Sequence, residues 1–430
     1  MGSVVMSAMV NVMGVIRTKE AERLARYRRN WAYYRNEQYS RPEYRRGLFR
    51  QIRHLFNHVT KIVDTDARFA MGQHLGVKSA SGNGKAAAAI EKAWRRSAMQ
   101  QSKYLLARYG ACCGDAFIKV VGGASDVRLV VLPPDVVFPE YDPNDRGRMV
   151  SCRLEYAANA QVHKEVWFPD RVEIYEPDNP QMIASVLENR LGAIPFVHIQ
   201  NLDVGEEFGL CSFHNLLPTL DSLNEIASFL VEMARMYGDP VYVARGVQKG
   251  TLEKGMVSEA GRPVSTVWYV PVPDGGIEVL EWRADAMTPA LAFMDRIQDN
   301  IRELFPELVL GLLKASPEAS GYSLRLRMCE LERKISEMRA NYFAGLVRAN
   351  ELALRAMGFS DVEPHEIVAD PILPADEEAM QRMLIRDVKE LGIKSRATAA
   401  KERGVQNVEA ELAAADAERE VDGDDVSAGE

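Results

Sequence analysis

The strongest pattern of apolar and polar positions along the chain runs from Thr288 to Met357. Thr288-Pro289 is a helix start, because a hydroxyl can cap free N–H groups and proline lacks the N–H that a first turn leaves unpaired. The apolar positions that follow have helical spacing: Leu291, Met294, Ile297, Ile301, Leu304 and Phe305. Pro306 ends this stripe, so the pattern predicts a helix that stops before an apolar segment.

A second, longer helix is predicted from Tyr322 to Met357, a stretch without proline. Its apolar positions alternate spacings of three and four, which is typical of a seam that packs against other helices along its whole length: Met328, Leu331, Ile335, Met338, Tyr342, Gly345, Ala349, Leu352 and Ala356. Between the two helices lies the apolar loop Glu307–Gly321, whose single basic residue is Lys314.

The preceding part of the chain predicts helices followed by antiparallel strands. Helices are expected near Leu48–Leu75, at Ala86–Tyr109 with Gly110 closing it, and at Ser212–Tyr237. Alternation of period two and turn residues predict strands at Ala116–Val121, Val127–Leu132, Met149–Tyr156, Glu165–Phe168, Val172–Tyr175, Val241–Ala244, Thr266–Val270 and Ile277–Trp282. The fold class is therefore α+β, without the strand–helix alternation of a nucleotide-binding parallel sheet.

The strand-like segment 241–282 separates the Ser212 helix from the Thr288 helix. Because the insert is compact, the two helices can run side by side, out and back. The apolar loop and the long seam helix then follow.

Composition and length narrow the class of protein. The 430 residues suffice for about two or three domains, and no apolar stretch is long enough to span a bilayer. The cysteines have no paired spacing, which predicts reduced thiols in a cytoplasm: Cys112, Cys113, Cys152, Cys211 and Cys329. Met1–Ile16 is apolar but lacks a basic start, so it is expected to be a flexible arm or docking strand rather than a targeting peptide.

Charge is distributed unevenly around a net of −8. Arg17–Arg53 carries twelve Lys and Arg against four Glu, whereas Asp416–Glu430 carries seven acidic residues and one Arg. Arginines interleaved with aromatic residues over 18–50 are compatible with nucleic-acid stacking, with a solvated helix that has an aromatic inner face, or with a subunit contact. The acidic end is expected to be disordered, because like charges repel.

The sequence contains little evidence of motifs for catalysis or metal binding. His54 and His58 have the i, i+4 spacing of a metal pair or of a structural pair, and no third ligand is evident nearby. Ser79–Lys85 partly matches the phosphate-binding loop motif, but Ala86 stands where that motif needs Ser or Thr to hold magnesium. The protein is therefore predicted to have no cofactor, no metal and no catalytic residues.

Four short segments resemble those of tailed-bacteriophage portal proteins, and they occur in the same order as in that family: Asn57–Gly72, Leu132–Asp142, Leu191–Asn201 and the loop end Ala319-Ser320-Gly321-Tyr322-Ser323-Leu324. The last is similar to the family's Ser-Gly-x-(Ala/Ser)-Leu junction with its long helix. The resemblance spans roughly residues 20–400, and the order of parts is a stronger signal than any one motif.

The resemblance implies a multi-domain α+β fold with the following parts: a flexible N-terminal arm (1–16), an α+β wing (17–211), a stem helix (212–239), a small α/β clip (240–284), a second stem helix (285–306), a tunnel loop (307–321), a long wing helix with its following segment (322–372), a helical crown (373–412) and an acidic disordered tail (413–430).

The function that the resemblance implies is that of a non-enzymatic portal vertex protein of a phage capsid. A homododecameric ring would form the channel for DNA packaging and ejection, dock the large terminase subunit and a head–tail adaptor, and contact the major capsid and scaffolding proteins. It would lie in the virion, after assembly in the host cytoplasm, and contact no membrane.

The implied DNA-facing residues lie in the tunnel loop: Leu308, Val309, Leu310, Gly311, Leu312, Leu313, Lys314 and Ser316, with Ser320 and Gly321 at the junction with the long helix. Tight DNA binding would hinder sliding, because phosphate contacts from Lys and Arg supply most non-specific affinity. A net acidic protein with an apolar loop fits a conduit. Lys314 would either meet phosphates or be solvated at the loop edge, and Leu308–Leu313 would either line the pore or pack as core.

Two other functions stay open from the sequence. A helical scaffold or adaptor without a channel would use the Tyr322–Met357 seam to bind partner helices. A nucleic-acid-processing enzyme with an unrecognised site would be a monomer or dimer with a polar pocket and perturbed carboxylates.

Overall fold

The computed structural model describes residues 2–40, 55–79, 84–123, 126–238, 241–246, 267–270, 275–280, 287–311, 321–359 and 364–372, and positions 385–387, 393, 395–398, 408 and 411–413. The chain divides into two units, residues 1–372 and 373–430. Most of the predicted crown, and the acidic tail after residue 413, lie outside the described residues.

The helices of the described residues follow the apolar stripes of the sequence: α1 (Gly2–Tyr34), α2 (Val59–Met71), α3 (Gly84–Arg96), α4 (Met99–Cys113), α5 (Leu217–Gly238), α6 (Met287–Leu304) and α7 (Gly321–Ala356). The predicted helices at α6 and α7 are confirmed to within one residue at each end. The predicted start of α5 at Ser212 was early, because the helix begins at Leu217 with Pro218 in its first turn.

The strands of the described residues form four sheets, so the predicted mixture of helix and sheet is confirmed. They are β1 (Leu75–Ser79), β2 (Asp115–Val121), β3 (Arg128–Leu132), β4 (Val137–Asp142), β5 (Asp145–Ala158), β6 (Gln161–Trp167), β7 (Arg171–Tyr175), β8 (Ile183–Glu188), β9 (Phe196–Gln200), β10 (Val241–Arg245), β11 (Val267–Val270), β12 (Gly276–Leu280) and β13 (His365–Ala369). The sheet orders are β1-β13, β3-β2-β9, β4-β5-β6-β7-β8 and β11-β10-β12. All pairs are antiparallel except β10 with β11.

Three helix predictions need correction. Leu55–His58 is not helical, because the Asn57 side-chain oxygen accepts the Thr60 N–H and starts α2 there. The single helix expected at Ala86–Tyr109 is two helices, α3 and α4, separated where Ala98 adopts a left-handed φ of 48°. The second of them continues past Gly110 to Cys113, and Gly114 closes it with a φ of 98°.

The N-terminal segment also differs from its prediction. Residues 2–16, expected to form a flexible arm, continue α1 as helix. The segment lacks proline, so no residue in it interrupts the backbone hydrogen bonds of a helix.

The aromatic residues of the basic segment 18–40 face inward. Tyr27 and Tyr33 of α1 are buried, as is Tyr39 beyond its end. Tyr33 and Tyr39 donate hydrogen bonds to Asp221 of α5 at 2.7 Å and 2.6 Å. Of the interpretations left open by the sequence, the described residues therefore favour a helix with an aromatic inner face.

The seam of α7 supplies part of the main core. Leu331, Ile335, Met338 and Tyr342 are fully buried and pack with α2, α3, α4 and β9. At Gly345 an added Cβ would lie 2.4 Å from the Ile199 side chain, so only glycine lets β9 approach α7 this closely.

Two helices meet in a second core cluster. Leu217, Leu220 and Leu223 near the start of α5 share this cluster with Ile301 near the end of α6. In contrast, Leu291, Phe293 and Leu304 of α6 remain exposed. The helix is therefore covered along a narrow stripe and keeps apolar residues on both flanks.

Candidate functional site

The segment after α6 begins as a buried turn. Pro306 stops the helix and starts a short 3-10 helix, Pro306–Gly311. Phe305 and Leu308 are buried in the same cluster as Ile301. Leu308 therefore takes the core role of the two that the sequence left open for it.

The structure places the other predicted loop residues as follows. Val309, Leu310 and Gly311 complete the turn, and Gly321 is the first residue of α7. Leu312, Leu313, Lys314, Ser316 and Ser320 lie outside the described residues. The described part of the site is thus its two ends.

Helix α2 holds the first of these ends through a backbone contact. The Lys61 ammonium donates a hydrogen bond to the Leu308 carbonyl oxygen at 3.2 Å. This carbonyl belongs to a short helix whose acceptors lack regular intrahelical partners, so a lysine is a suitable donor for it.

A buried ion cluster joins the turn and the first half of α7 to the same helix. The Lys334 ammonium of α7 lies 3.2 Å from a carboxyl oxygen of Asp66 on α2 and also contacts the Glu307 carboxyl group in the turn. Both carboxyl groups are fully buried, and 19% of the Lys334 side chain is exposed. We call Asp66, Glu307 and Lys334 the anchor triad.

Two members of the anchor triad, Asp66 and Lys334, have shifted pKa values. Burial raises the pKa of Asp66 to about 8, with Glu307 adding to the rise and Lys334 opposing it. For Lys334, burial acts to lower the pKa, but the two carboxyl groups outweigh it and the pKa is raised. The lysine therefore stays charged while the aspartate is easily protonated.

A guanidinium clamp fixes α7 to the other end of α2. Arg339 donates to the carbonyl oxygens of Phe69 and Ala70 in the last turn of α2, at 2.8 Å and 3.0 Å, and to that of Asp370 at 2.8 Å. These carbonyls are among those that a helix end leaves without intrahelical partners. The α7 contacts therefore run along the second half of α2.

A second polar centre surrounds Asp115 at the start of β2. Its buried carboxylate accepts hydrogen bonds from the Tyr27 hydroxyl at 2.5 Å and the Gly209 N–H at 2.8 Å, and it lies 2.8 Å from His198 Nε2. Arg26 lies 3.8 Å away. We call Asp115 and these partners the aspartate hub.

The hub extends to the five-stranded sheet without gaining a nucleophile. The Tyr141 hydroxyl on β4 lies 2.5 Å from Nδ1 of His198, so both ring nitrogens are engaged. Burial raises the pKa of Tyr141 far above its ordinary value, with Cys152 and Asp115 adding to the rise. The hydroxyl therefore stays protonated, and the contacts join α1, β2, β4 and β9.

Neither centre could be read from sequence spacing. Asp66 and Lys334 lie on separate helices whose polar positions look solvated. Asp115 meets its partners only after β9 pairs with β2 and α1 lies beside them. In the sequence, the aspartate hub is signalled only by His198, which lies within the segment Leu191–Asn201 described above.

The described ranges offer neither a metal site nor a membrane span. Those residues contain no group of three or more His, Cys, Asp and Glu side chains placed to hold a metal ion. His54 lies outside them, while His58 stacks on Phe56. Within the same ranges, every helix is too short or too polar for a bilayer span.

The family of the chain is shown by its sequence. The sequence model of the phage portal protein family, SPP1 Gp6-like, matches residues 14–424, and the chain belongs to this family. It is a portal protein, of the class that provides the DNA channel and terminase docking surface of a virion. No curated protein matches the chain.

Solved structures of gene transfer agent particles are similar to this chain. The neck of an empty particle, computed with C6 symmetry, has a TM-score of 0.49 at 14% identity and covers 87% of this chain and 93% of that chain. The virion of the native particle has a TM-score of 0.47 at 13% identity with the same coverages. The native neck, computed with C12 symmetry, has a TM-score of 0.44 at 14% identity, over 80% of this chain and 87% of that chain.

Proposed function

We propose that this portal protein forms a homododecameric ring at one capsid vertex and that the segment after Leu308 faces the DNA in its channel. Residues 17–211 and 322–372 would form the wing, α5 and α6 the stem, and residues 240–284 the clip. The order of the elements supports this assignment: α5 and α6 pack together and flank β10–β12 in sequence.

The exposed side of α6 supports a ring. Leu291, Phe293 and Leu304 are 44%, 56% and 57% exposed and lie beside the packed stripe of one subunit. In a closed ring each subunit presents two different faces to its two neighbours. Neighbouring stem helices would therefore cover these side chains on either side.

The observation that carries the loop assignment is the double attachment to α2. Lys61 and the anchor triad fix the turn after α6 and the first half of α7 to a single helix. A segment that follows such a fixed turn can reach toward the channel without loosening the wing. Leu312, Leu313, Lys314 and Ser316 would then meet DNA, whereas Leu308 remains core.

The charge of the loop suits sliding rather than gripping. A single Lys314 per subunit would form a weak cationic ring around double-stranded DNA, which gives little phosphate affinity compared with a basic channel. We assign no enzymatic role, because the side chains around Asp115 join structural elements. The large terminase subunit and a head–tail adaptor would dock on the clip, with the crown facing the major capsid and scaffolding proteins.

The test combines assembly with packaging. Lys314→Glu should leave ring formation intact in negative-stain microscopy and reduce packaged DNA, because an acidic ring repels the phosphates. Lys92→Glu, an exposed lysine on α3, makes the same charge change away from the loop and should package as wild type. Normal packaging by Lys314→Glu would remove Lys314 from the channel.

The adaptor alternative is separated by the same micrographs. A hollow ring of wild-type subunits supports the portal assembly. A compact monomer with no ring under packaging conditions would support a helical adaptor instead.

A further inference from the structure

The anchor triad holds an unusual set of charges at the start of the segment between α6 and α7. Asp66 lies in the middle of α2, Glu307 in the turn and Lys334 on α7, and both carboxyl groups are shielded from solvent. All three fully ionised would leave one uncompensated negative charge in the interior.

Among the side chains that the structure describes, the charged and titratable neighbours of Asp66 do not include a second cation. Facing Asp66 are Lys334 and the Tyr342 hydroxyl from α7, Glu307 from the turn, and Ser212 from the segment before α5. Lys61 of α2 is directed to the Leu308 carbonyl instead. The local balance therefore remains two carboxyl groups to one ammonium.

A single proton neutralises this cluster. Transfer of an unpaired ionised carboxylate into a protein interior is so unfavourable that the group takes up a proton instead. Two carboxyl groups that share one site cannot both ionise easily, and the protons then leave in steps that belong to the pair. With one proton bound, the remaining carboxylate and Lys334 form a neutral pair.

We propose that Asp66 and Glu307 share one proton and, with Lys334, form a proton-linked latch that holds the turn Pro306–Gly311 against α2 and α7. Any influence of this latch on DNA movement through the channel rests on the proposed function of the loop. The latch itself is a property of the wing and turn and is testable without DNA.

Loss of the proton should release the turn rather than the helices. Asp66 is held within α2 by backbone hydrogen bonds on either side, and Lys334 is held within α7. Glu307 lies in a short 3-10 turn, the least cooperative of the three elements. The repulsion between two carboxylates is therefore relieved most easily when Glu307 moves toward water.

Amide hydrogen exchange of the full-length protein tests the latch. Protection factors of the turn, including the Leu308 N–H that bonds the Phe305 carbonyl at 3.0 Å, would be compared from pH 6 to pH 9. In wild type, protection should fall by about tenfold for each pH unit above the point where the proton is lost. A protection factor that stays constant across this range would overturn the proposal.

Two variants isolate the shared proton. Glu307→Gln retains the shape of the protonated group and should keep the turn protected at every pH, within about twofold of the wild-type value at pH 6. Asp66→Asn should behave in the same way and serves if Glu307→Gln fails to fold. A pH-dependent loss in both variants equal to that of wild type would overturn the latch.

A matched control variant and a measurement without DNA separate the latch from the proposed function of the loop. Glu337→Gln neutralises an exposed glutamate of the same helix α7, so its pH profile should remain that of wild type. The exchange is measured on the protein without DNA. A failed latch therefore leaves the Lys314 packaging result intact, and a failed packaging result leaves the latch intact.

Discussion

Two buried aspartates in this protein have carboxyl groups with opposite kinds of surroundings. Asp115 is surrounded by donors: a tyrosine hydroxyl, a backbone N–H, a histidine nitrogen and a more distant guanidinium. Asp66 shares one lysine with a second carboxyl group. The crowded carboxyl group of Asp66 makes the local structure depend on proton concentration, because burial and Glu307 raise its pKa.

The difference matches the two regions that the aspartates serve. The aspartate hub joins α1 to β2, β4 and β9 inside the wing. The anchor triad joins the turn after α6 and the first half of α7 to α2. The aspartate hub therefore lies in the scaffold, and the anchor triad lies beside the segment proposed to meet DNA.

The largest expected effect is the pH dependence that Asp66 adds to stability. Its pKa of about 8 in the folded state exceeds the value of about 3.9 expected for an unfolded chain. The folded state therefore binds the extra proton between about pH 4 and pH 8, and stability should fall across this window as pH rises, by up to about 1.4 kcal/mol per unit. Denaturant unfolding at several pH values should show a flatter profile for Asp66→Asn, and parallel profiles would contradict the comparison.

The same Asp→Asn substitution at the aspartate hub should lower the stability of the folded state. Asp115→Asn replaces an acceptor-only group with an amide whose NH₂ faces a donor, so about 2–3 kcal/mol of stability should be lost at pH 7. A variant as stable as wild type would show that the hub contacts contribute nothing.

Tyr342 offers a smaller test of whether the two centres are separate. Its hydroxyl donates to the Asn201 side-chain oxygen at 3.0 Å, and both Asp66 and Asp115 add to the rise that burial causes in its pKa. Tyr342→Phe should cost about 1 kcal/mol and leave the Asp66 pH profile unchanged. A double-mutant cycle with Asp66→Asn measures any coupling, and a large interaction energy would mean that the centres act as one.

The smallest effect is expected at Lys61. Its stem is exposed, and it contributes one hydrogen bond to the Leu308 carbonyl. Lys61→Met should therefore cost about 0.5–1 kcal/mol in denaturant unfolding. Its exchange profile should keep the wild-type pH dependence, which separates the backbone contact from the shared proton.

The sequence predicted elements better than it predicted their contacts. The stripes of α6 and α7 were visible because helical periodicity is local, and Pro306 marked the stop between them. The break between α3 and α4 was not visible, since Ala98 in a left-handed conformation is imposed by tertiary packing. β1 and β13 were missed because each has only its distant partner to pair with.

The site was predictable only as a segment. An apolar loop between two helices could be located from composition, and family resemblance gave it a role. Asp66, Glu307 and Lys334 come from three elements far apart in the chain. No local rule marks such residues, because each looks like an ordinary polar position on its own helix or turn.

The pairing of β1 with β13 has a consequence for synthesis on the ribosome. Leu75–Ser79 must wait for His365–Ala369 before its strand is complete, and α7 must be made before the main core closes. At typical elongation rates that interval is about 15–60 s. During it the helices of the first third of the chain carry uncovered apolar faces, which favour aggregation, and the main core can close only after most of the chain has been made.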